Sequence, residues 1–334
     1  MINSIRDFIK VSFDNKVSFN SSWCEVINNA SNVSVFHLRS TVDYHIEYYS
    51  GEDLSFVLYE NNRAIAVLPL FVYVKDQQWK ISGDGHNLIE PLFVSKVPRK
   101  MQKRLLAKIV KLIEDISTKL KVERVEIYNS GTNLSNWYLL WLEKADRSFV
   151  TYQLTIELGL TIEDIKSRFR KSYKPLINKA YRELDIEICN NNIDYVFEEF
   201  RLLHLEVAGR ETRSRKTWDI HKKQVKDKEA FLVTVRLKKQ LIGAGLFTYT
   251  QNMGAYSVGV YKRELFDMPI GHGVQMKAIE KMKDIGCDSY LIGEKVTKLG
   301  ISQPTQKELS ISHFKEGFSG YVYAQPHISV RLSG

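Results

Sequence analysis

Cysteine is scarce in this chain: Cys24, Cys189 and Cys287 are the three among 334 residues. Odd in number and scattered, they exclude a disulfide framework and a zinc knuckle. The eight histidines are dispersed without an HExxH-type spacing, so no metal centre is expected. Long apolar runs are missing too. The longest, Ala64 to Val74, has 11 residues and contains Pro69, whereas a membrane-spanning helix needs about 20. The opening residues MINSIRDFIKVSFDNK hold neither a sustained apolar stretch nor a small-residue cleavage site, so no signal peptide is expected. No serine or cysteine stands in a recognisable elbow motif, so no covalent nucleophile is expected.

What is present points to a folded protein. An apolar fraction of 44% and 38 aromatics argue against disorder. At roughly 100–200 residues per domain, the length suggests about two domains. The expectation is a soluble, cytoplasmic protein with a basic surface, since 48 Lys+Arg face 39 Asp+Glu for a net +9.

That positive charge is clustered. Pro98 to Arg124 holds nine Lys/Arg and three acids, Lys166 to Arg182 seven and none, and Arg210 to Lys228 eight and three. Such stripes suit phosphate-bearing partners: a nucleotide-linked sugar, coenzyme A, tRNA or an anionic membrane surface. The first stripe reads most simply as a solvated helix face. The second is less plain, because Phe169, Tyr173, Pro175 and Tyr181 interrupt it.

Two stretches share one order of elements. From Asp53 to Lys80 a three-strand meander is expected, with SFVLYE meeting RAIAVLPLFVYV across Asn61-Asn62. A helix opening at Pro98 follows, with Met101, Leu105, Ile109, Leu112, Ile113, Ile116 and Leu120 at helical spacing, then the strand VERVEIY. Further on, AFLVTVRL turns through Lys238-Lys239-Gln240 into LIGAGLFTYT, and AYSVGVY is the third strand. A helix from Gly271 to a cap at Gly286 and the strand CDSYLIGE close the second set. A shift of 176 residues lays Leu70-Phe71-Val72-Tyr73 on Leu246-Phe247-Thr248-Tyr249. Two similar α/β units are therefore expected, residues 1–150 and 151–334, joined through FVTYQLTIE.

Several residues carry chemistry. Gly271-His272-Gly273 lies between a strand and a helix, where backbone N–H groups and a helix N-terminus could receive a pyrophosphate. Acyl-CoA transferases of the GNAT fold hold the pyrophosphate in this way. The Arg or Gln usual three residues before the first glycine is replaced by Met268. Glu206, Arg210 and Arg213 stand where Gly209 ends a helix, a grouping suited to anion or carboxylate recognition. Lys315, between Phe314 and Gly317, is placed to hold an ammonium at a cleft; His313, of the residue type that most often moves protons in catalysis, stands two residues before it; Glu294 is a carboxylate at a strand end. In the first unit Gly83-Asp84-Gly85-His86 and Glu90-Pro91 read as a ligand-facing loop.

With these pieces in order, the chain resembles the Fem-type transferases and their relatives of the cellulose-biosynthesis acyltransferase type. The resemblance is carried by FRKSYKPLINKAYREL, HLEVAGRETRS and FKEGFSG, and covers roughly residues 20 to 325. It implies tandem GNAT-like domains of mixed, mostly antiparallel sheet flanked by helices. Fem-type members move an amino acid from aminoacyl-tRNA to an amine on a peptidoglycan precursor; the related group moves acyl groups from coenzyme A to surface polysaccharide or lipid-linked acceptors. By that resemblance Lys315, with Glu294 and His313, would be catalytic, Glu206, Arg210, Arg213, Asp84 and Glu90 would bind substrate, and Gly271, His272 and Gly273 the donor. The resemblance implies an acyltransferase with acyl-CoA as co-substrate and no permanent cofactor, forming an amide, or less readily an ester, on an amino-sugar or other envelope precursor. Aminoacyl-tRNA is the alternative donor. A non-catalytic nucleotide-sugar-binding tandem is the reading from another class. The expected partners are a lipid- or nucleotide-linked precursor, with tRNA and the inner membrane face as further candidates and no DNA. The long helical arm of some Fem-type proteins has no counterpart here, since no heptad segment is inserted.

Overall fold

The computed structural model describes Ile5, residues 16–298 and residues 303–332. The opening segment read for a leader thus lies outside the described residues, Ile5 and Lys16 apart. The chain forms two compact units: residues 1–150 with 325–334, and residues 151–324. The expected second domain ran to residue 334, but the last ten residues group with the first unit. The reason lies in β14 (Tyr321–Arg331), whose second half pairs antiparallel with β7 (Arg124–Tyr128), from His327 opposite Tyr128 to Arg331 opposite Arg124. Ile328 and Val330 thereby enter the first core.

In the first unit, α1 (Lys16–Asn29) and α2 (Arg39–Tyr49) precede a set of short strands. The hairpin expected at Asn61-Asn62 joins β2 (Phe56–Glu60) to β3 (Arg63–Leu68), with both asparagines at positive φ, 49° and 61°. That geometry matches the right-handed twist of the strands. The expected meander is not continuous. Pro69 has no N–H to give a ladder, and the chain there changes sheet. β3 lies between β2 and β6 (Leu92–Phe93), whereas β4 (Phe71–Lys75) lies between β1 (Glu52–Asp53) and β5 (Gln78–Ser82). The helix opening at Pro98 is α3 (Arg99–Leu120), which buries Leu106, Ile109, Val110, Ile113, Ile116 and Leu120. The short α4 (Asn136–Leu142) adds Trp137 and Trp141, both fully buried.

The second unit begins in β8 (Arg147–Glu157), runs through α5 (Ile162–Ser167), α6 (Tyr173–Glu183) and β9 (Asp185–Ile188), and continues with α7 (Ile193–Ala208) and α8 (Arg215–Lys226). β10 (Ala230–Leu237), β11 (Gln240–Tyr249), β12 (Met253–Tyr261), α9 (Ile270–Ile285), β13 (Ser289–Glu294) and α10 (Gln306–Glu316) follow. The strand order is β8-β13-β12-β11-β10-β9. Alternation along β11 assigns the two faces. A Cβ on Gly243 or Gly245 would lie 2.4 Å from Ile270 or 2.7 Å from Val274, so that face carries α9. Ala244 and Leu246 point the other way, into the cluster of Phe197, Phe200, Leu203 and Trp218 from α7 and α8. The sheet is thus sandwiched between helices, and α7 ends at Gly209 and α9 at Gly286, both left-handed C-caps as expected.

Candidate functional site

β12 and β13 run parallel and pair over only three residues, Met253–Ala255 against Ser289–Leu291. Past that point β12 keeps its bonds to β11, and β13 keeps its bonds to β8. The two strands therefore part and leave a wedge. A β-bulge marks the parting on each side. Ser257 is the extra residue of β12, between Tyr256 opposite Phe247 and Val258 opposite Leu246; Ile292 is that of β13, between Leu291 opposite Thr155 and Gly293 opposite Leu154. Bulges re-aim backbone groups and recur beside active sites.

Lys315 enters this wedge. Its Nζ stands 5.3 Å from the centre of the Tyr256 ring. It also lies against Gly293, where an added Cβ would fall 2.5 Å from Nζ. Gly293 has φ of 151°, so both its conformation and the lysine above it demand glycine. Among the described residues no carboxylate comes within ion-pair distance of Lys315. Burial pushes its pKa below the ordinary lysine range, with the charge of Glu294 opposing. Glu294, the next residue on β13, is pushed above the usual carboxylate range by partial desolvation, with Lys315 opposing. Tyr256 belongs to a phenolic cluster: its Oη lies 2.7 Å from Tyr261 Oη, and Tyr290 donates to Gln275 Oε1 at 2.5 Å. Burial pushes all three tyrosines up, Tyr261 to about 12, which keeps them neutral.

The helix carrying Lys315 is firmly held. Tyr173 donates to the Phe314 carbonyl at 2.9 Å and Arg170 to that of His313 at 3.1 Å. Val296 N–H donates to Ser312 at 2.8 Å, Lys295 pairs with Glu316, and Thr305 and Glu308 form a capping box at its start. Phe318, fully buried, packs on Phe169 and Tyr173. Lys315 thus stands on the last turn of a helix that its neighbours anchor.

Other expected site residues fall elsewhere. His313 is two residues from Lys315, about 200° around the helix. It is exposed, with Nδ1 3.4 Å from Arg170, and lines a cavity of about 430 Å³ with Leu309, Ser312 and Glu316. The structure does not bring it to the wedge, so it is not grouped with Lys315 and Glu294. The Gly271-His272-Gly273 loop does begin α9, but its glycines are filled by protein. A Cβ on Gly273 would lie 2.4 Å from Ile186 and 3.1 Å from Ala180, and one on Gly271 3.0 Å from Phe314. His272 is boxed edge-on by Tyr173 at 4.5 Å and Phe314 at 5.2 Å, and burial, then the Arg170 charge, pushes its pKa down to about 4. It is neutral at pH 7 and cannot supply the cation that Met268 lacks. Helix and strand packing explains both glycines.

The packing makes a direct expectation. Gly273→Ala should lower the melting temperature through overpacking worth about 1–3 kcal/mol. Adding Ile186→Val, which removes the clashing methyl, should restore most of the loss; no rescue would place the clash elsewhere.

Glu206 pairs with Lys262 at 3.2 Å, which ties the end of α7 to the segment leaving β12. Arg213 lies over the Trp218 ring at 5.6 Å, beside His204 at 3.3 Å, and is thus used in packing α7 to α8. Arg210 is exposed and, among the described residues, makes no ion pair. In the first unit Asp84 accepts from the N–H groups of His86 and Asn87 at 2.9 and 2.7 Å, so its carboxylate builds the turn it sits in. Glu90 is half-buried and pushed up by desolvation, with Ser135 opposing. Sequence reasoning missed Tyr256, Arg170 and Gly293. The lone glycine in YLIGE was the available signal, since a glycine inside a strand marks a bulge or a close approach.

Solved structures share this architecture. FemX superposes with a TM-score of 0.65 at 11% identity, covering 94% of each chain. The C-terminal domain assigned to a lysylphosphatidylglycerol synthetase of Agrobacterium fabrum gives 0.59 at 11%, covering 94% of this chain and 92% of that one. The fold is tandem GNAT-like. A tandem GNAT protein from the clavulanic acid biosynthesis pathway also aligns, with a TM-score of 0.50 at 10% identity over 96% and 97% of the two chains. No family model and no curated sequence matches the chain. Among the described residues no helix is long and apolar enough to cross a membrane, and no group of three or more His, Cys, Asp or Glu could hold a metal ion.

Proposed function

We propose that this protein is an acyltransferase that moves an aminoacyl group from aminoacyl-tRNA to an amine on a cell-envelope precursor. The observation that carries the reading is Lys315, a partly desolvated ammonium without a close counter-ion, held where β12 and β13 part. An ester carbonyl in the wedge would meet that ammonium and the backbone freed at the two bulges. The acceptor nitrogen would attack, and C–N would form as the carbonyl oxygen gains charge that Lys315 stabilises. Glu294 would take the proton from the nitrogen and return it to the ribose oxygen as the C–O bond breaks. Packing alone accounts for the glycines of α9, so they give no positive support for a CoA pyrophosphate site. The names FemX and lysylphosphatidylglycerol synthetase support aminoacyl transfer and an envelope setting.

The test compares donors. The protein with hydroxylamine as a small acceptor should accelerate loss of the amino acid from aminoacyl-tRNA and leave acetyl-CoA intact. Turnover of acetyl-CoA instead would assign the CoA-dependent reading; turnover of neither donor with any envelope fraction would leave a binding module.

The two wedge residues set a pH profile. Glu294 must be ionised to accept a proton, so the acid limb of kcat/KM should lie above the ordinary carboxylate range. Lys315 must be charged, so the alkaline limb should lie below the ordinary lysine range. Glu294→Gln should abolish the acid limb and lower the rate by about 10²–10⁴. An acid limb that survives this change belongs to another group.

A further inference from the structure

Six cations crowd the start of α3: Lys96, Arg99, Lys100, Lys103, Arg104 and Lys108 are all exposed. No acid occurs between Lys96 and Lys111, and among the described residues none of the six side chains joins an ion pair or hydrogen bond. The ion pairs of this helix, Lys111–Asp115 at 2.8 Å and Lys144–Glu114 at 2.6 Å, lie in its second half. At about 100° per residue Lys100, Lys103, Arg104 and Lys108 lie to one side of the buried stripe from Leu106 to Leu120, and Arg99 stands at its edge in the first turn. The first turn has no acid, and Pro98 gives no side-chain cap. The partial positive charge of the helix terminus adds to the cations of the first turn, Arg99 and Lys100, where a positive side chain is unfavourable. Local rules are broken in this way where a surface serves a ligand.

We propose that this face of α3 docks the phosphate backbone of RNA, with the aminoacyl-tRNA donor as its occupant; the choice of occupant rests on the donor assigned above. From Arg99 to Lys108 the face extends about 14 Å, more than one small anion needs. A helix lying on a bilayer presents an apolar stripe to it, but the stripe of α3 is spent on the core. Among the described residues no exposed large hydrophobic lies on this helix. A strip of Lys and Arg without apolar prongs matches a polyanion recognised by charge.

The experiment uses the full chain, unacylated bulk tRNA and fluorescence anisotropy over a salt series. The quadruple variant Lys100→Gln/Lys103→Gln/Arg104→Gln/Lys108→Gln should keep or raise the melting temperature, since all four side chains are exposed and crowd like charge, and Lys100 opposes the dipole. Its log affinity against log salt should be shallower by about 2–3, with binding at least tenfold weaker at about 0.1 M salt. It should still deacylate an aminoacyl dinucleotide, because Lys315 is untouched. Unchanged tRNA binding would overturn this surface even if tRNA is the donor. Binding of wild type to phosphatidylglycerol vesicles through these residues, with none to tRNA, would overturn it in favour of a membrane face. Failure of the donor assignment shows separately, as aminoacyl-tRNA left intact by a protein that still binds tRNA through α3.

Discussion

Lys315→Met should lower kcat by about 10²–10³, roughly 2.7–4 kcal/mol of transition-state stabilisation, while KM for the donor changes little. The lysine has no ion-pair partner within reach among the described residues, and its stem runs along the Gly293 backbone toward the Tyr256 ring. Methionine keeps most of that stem and deletes the charge, so the melting temperature should hold. A group that acts only on charge developing in the transition state moves kcat, not ground-state binding. Lys315→Arg should restore only part of the rate, because a planar fork does not occupy the space of a compact ammonium. Normal turnover by Lys315→Met on aminoacyl-tRNA would remove the lysine from the mechanism.

Gly293→Ala should be nearly as damaging without touching a charged group. Its φ of 151° is a region that L side chains rarely adopt, with a strain cost of about 1–3 kcal/mol. The new methyl would also stand 2.5 Å from Lys315 Nζ and 3.0 Å from its Cδ, so the lysine must leave its place. We therefore expect a lower melting temperature together with a fall in kcat approaching that of Lys315→Met. The double variant should be no slower than Lys315→Met alone, since both changes remove the same interaction. Full activity in Gly293→Ala would mean that the wedge tolerates a displaced lysine, which would sink the positional argument.

Much of the local structure was legible from residue patterns. The Asn61-Asn62 turn, the apolar stripe of α3 and the glycine caps of α7 and α9 follow from φ preferences and a 3.6-residue period, which are properties of neighbours in the chain. The candidate site was legible only in part. Lys315 and Glu294 were singled out from their own surroundings; the structure puts Glu294 next to Gly293, against which Lys315 lies, and each feels the other's charge without forming an ion pair. His313, two residues from Lys315, was a further candidate in a linear reading, but the helical turn sends it to the other side.

Periodicity and turn residues determined α3, α7, α9, the Asn61-Asn62 hairpin and the β10–β11 hairpin, because those depend on short-range sterics and on which side chains avoid water. Which strands pair, and where they stop pairing, depends on contacts between residues far apart in sequence. Tyr256, Gly293 and Lys315 meet across a span of 60 residues, and no local pattern encodes that meeting. The same holds for the glycines at the start of α9. Read along the chain they suggest an anion-binding turn, and only Ile186 and Phe314, delivered by other elements, give both glycines a packing reason.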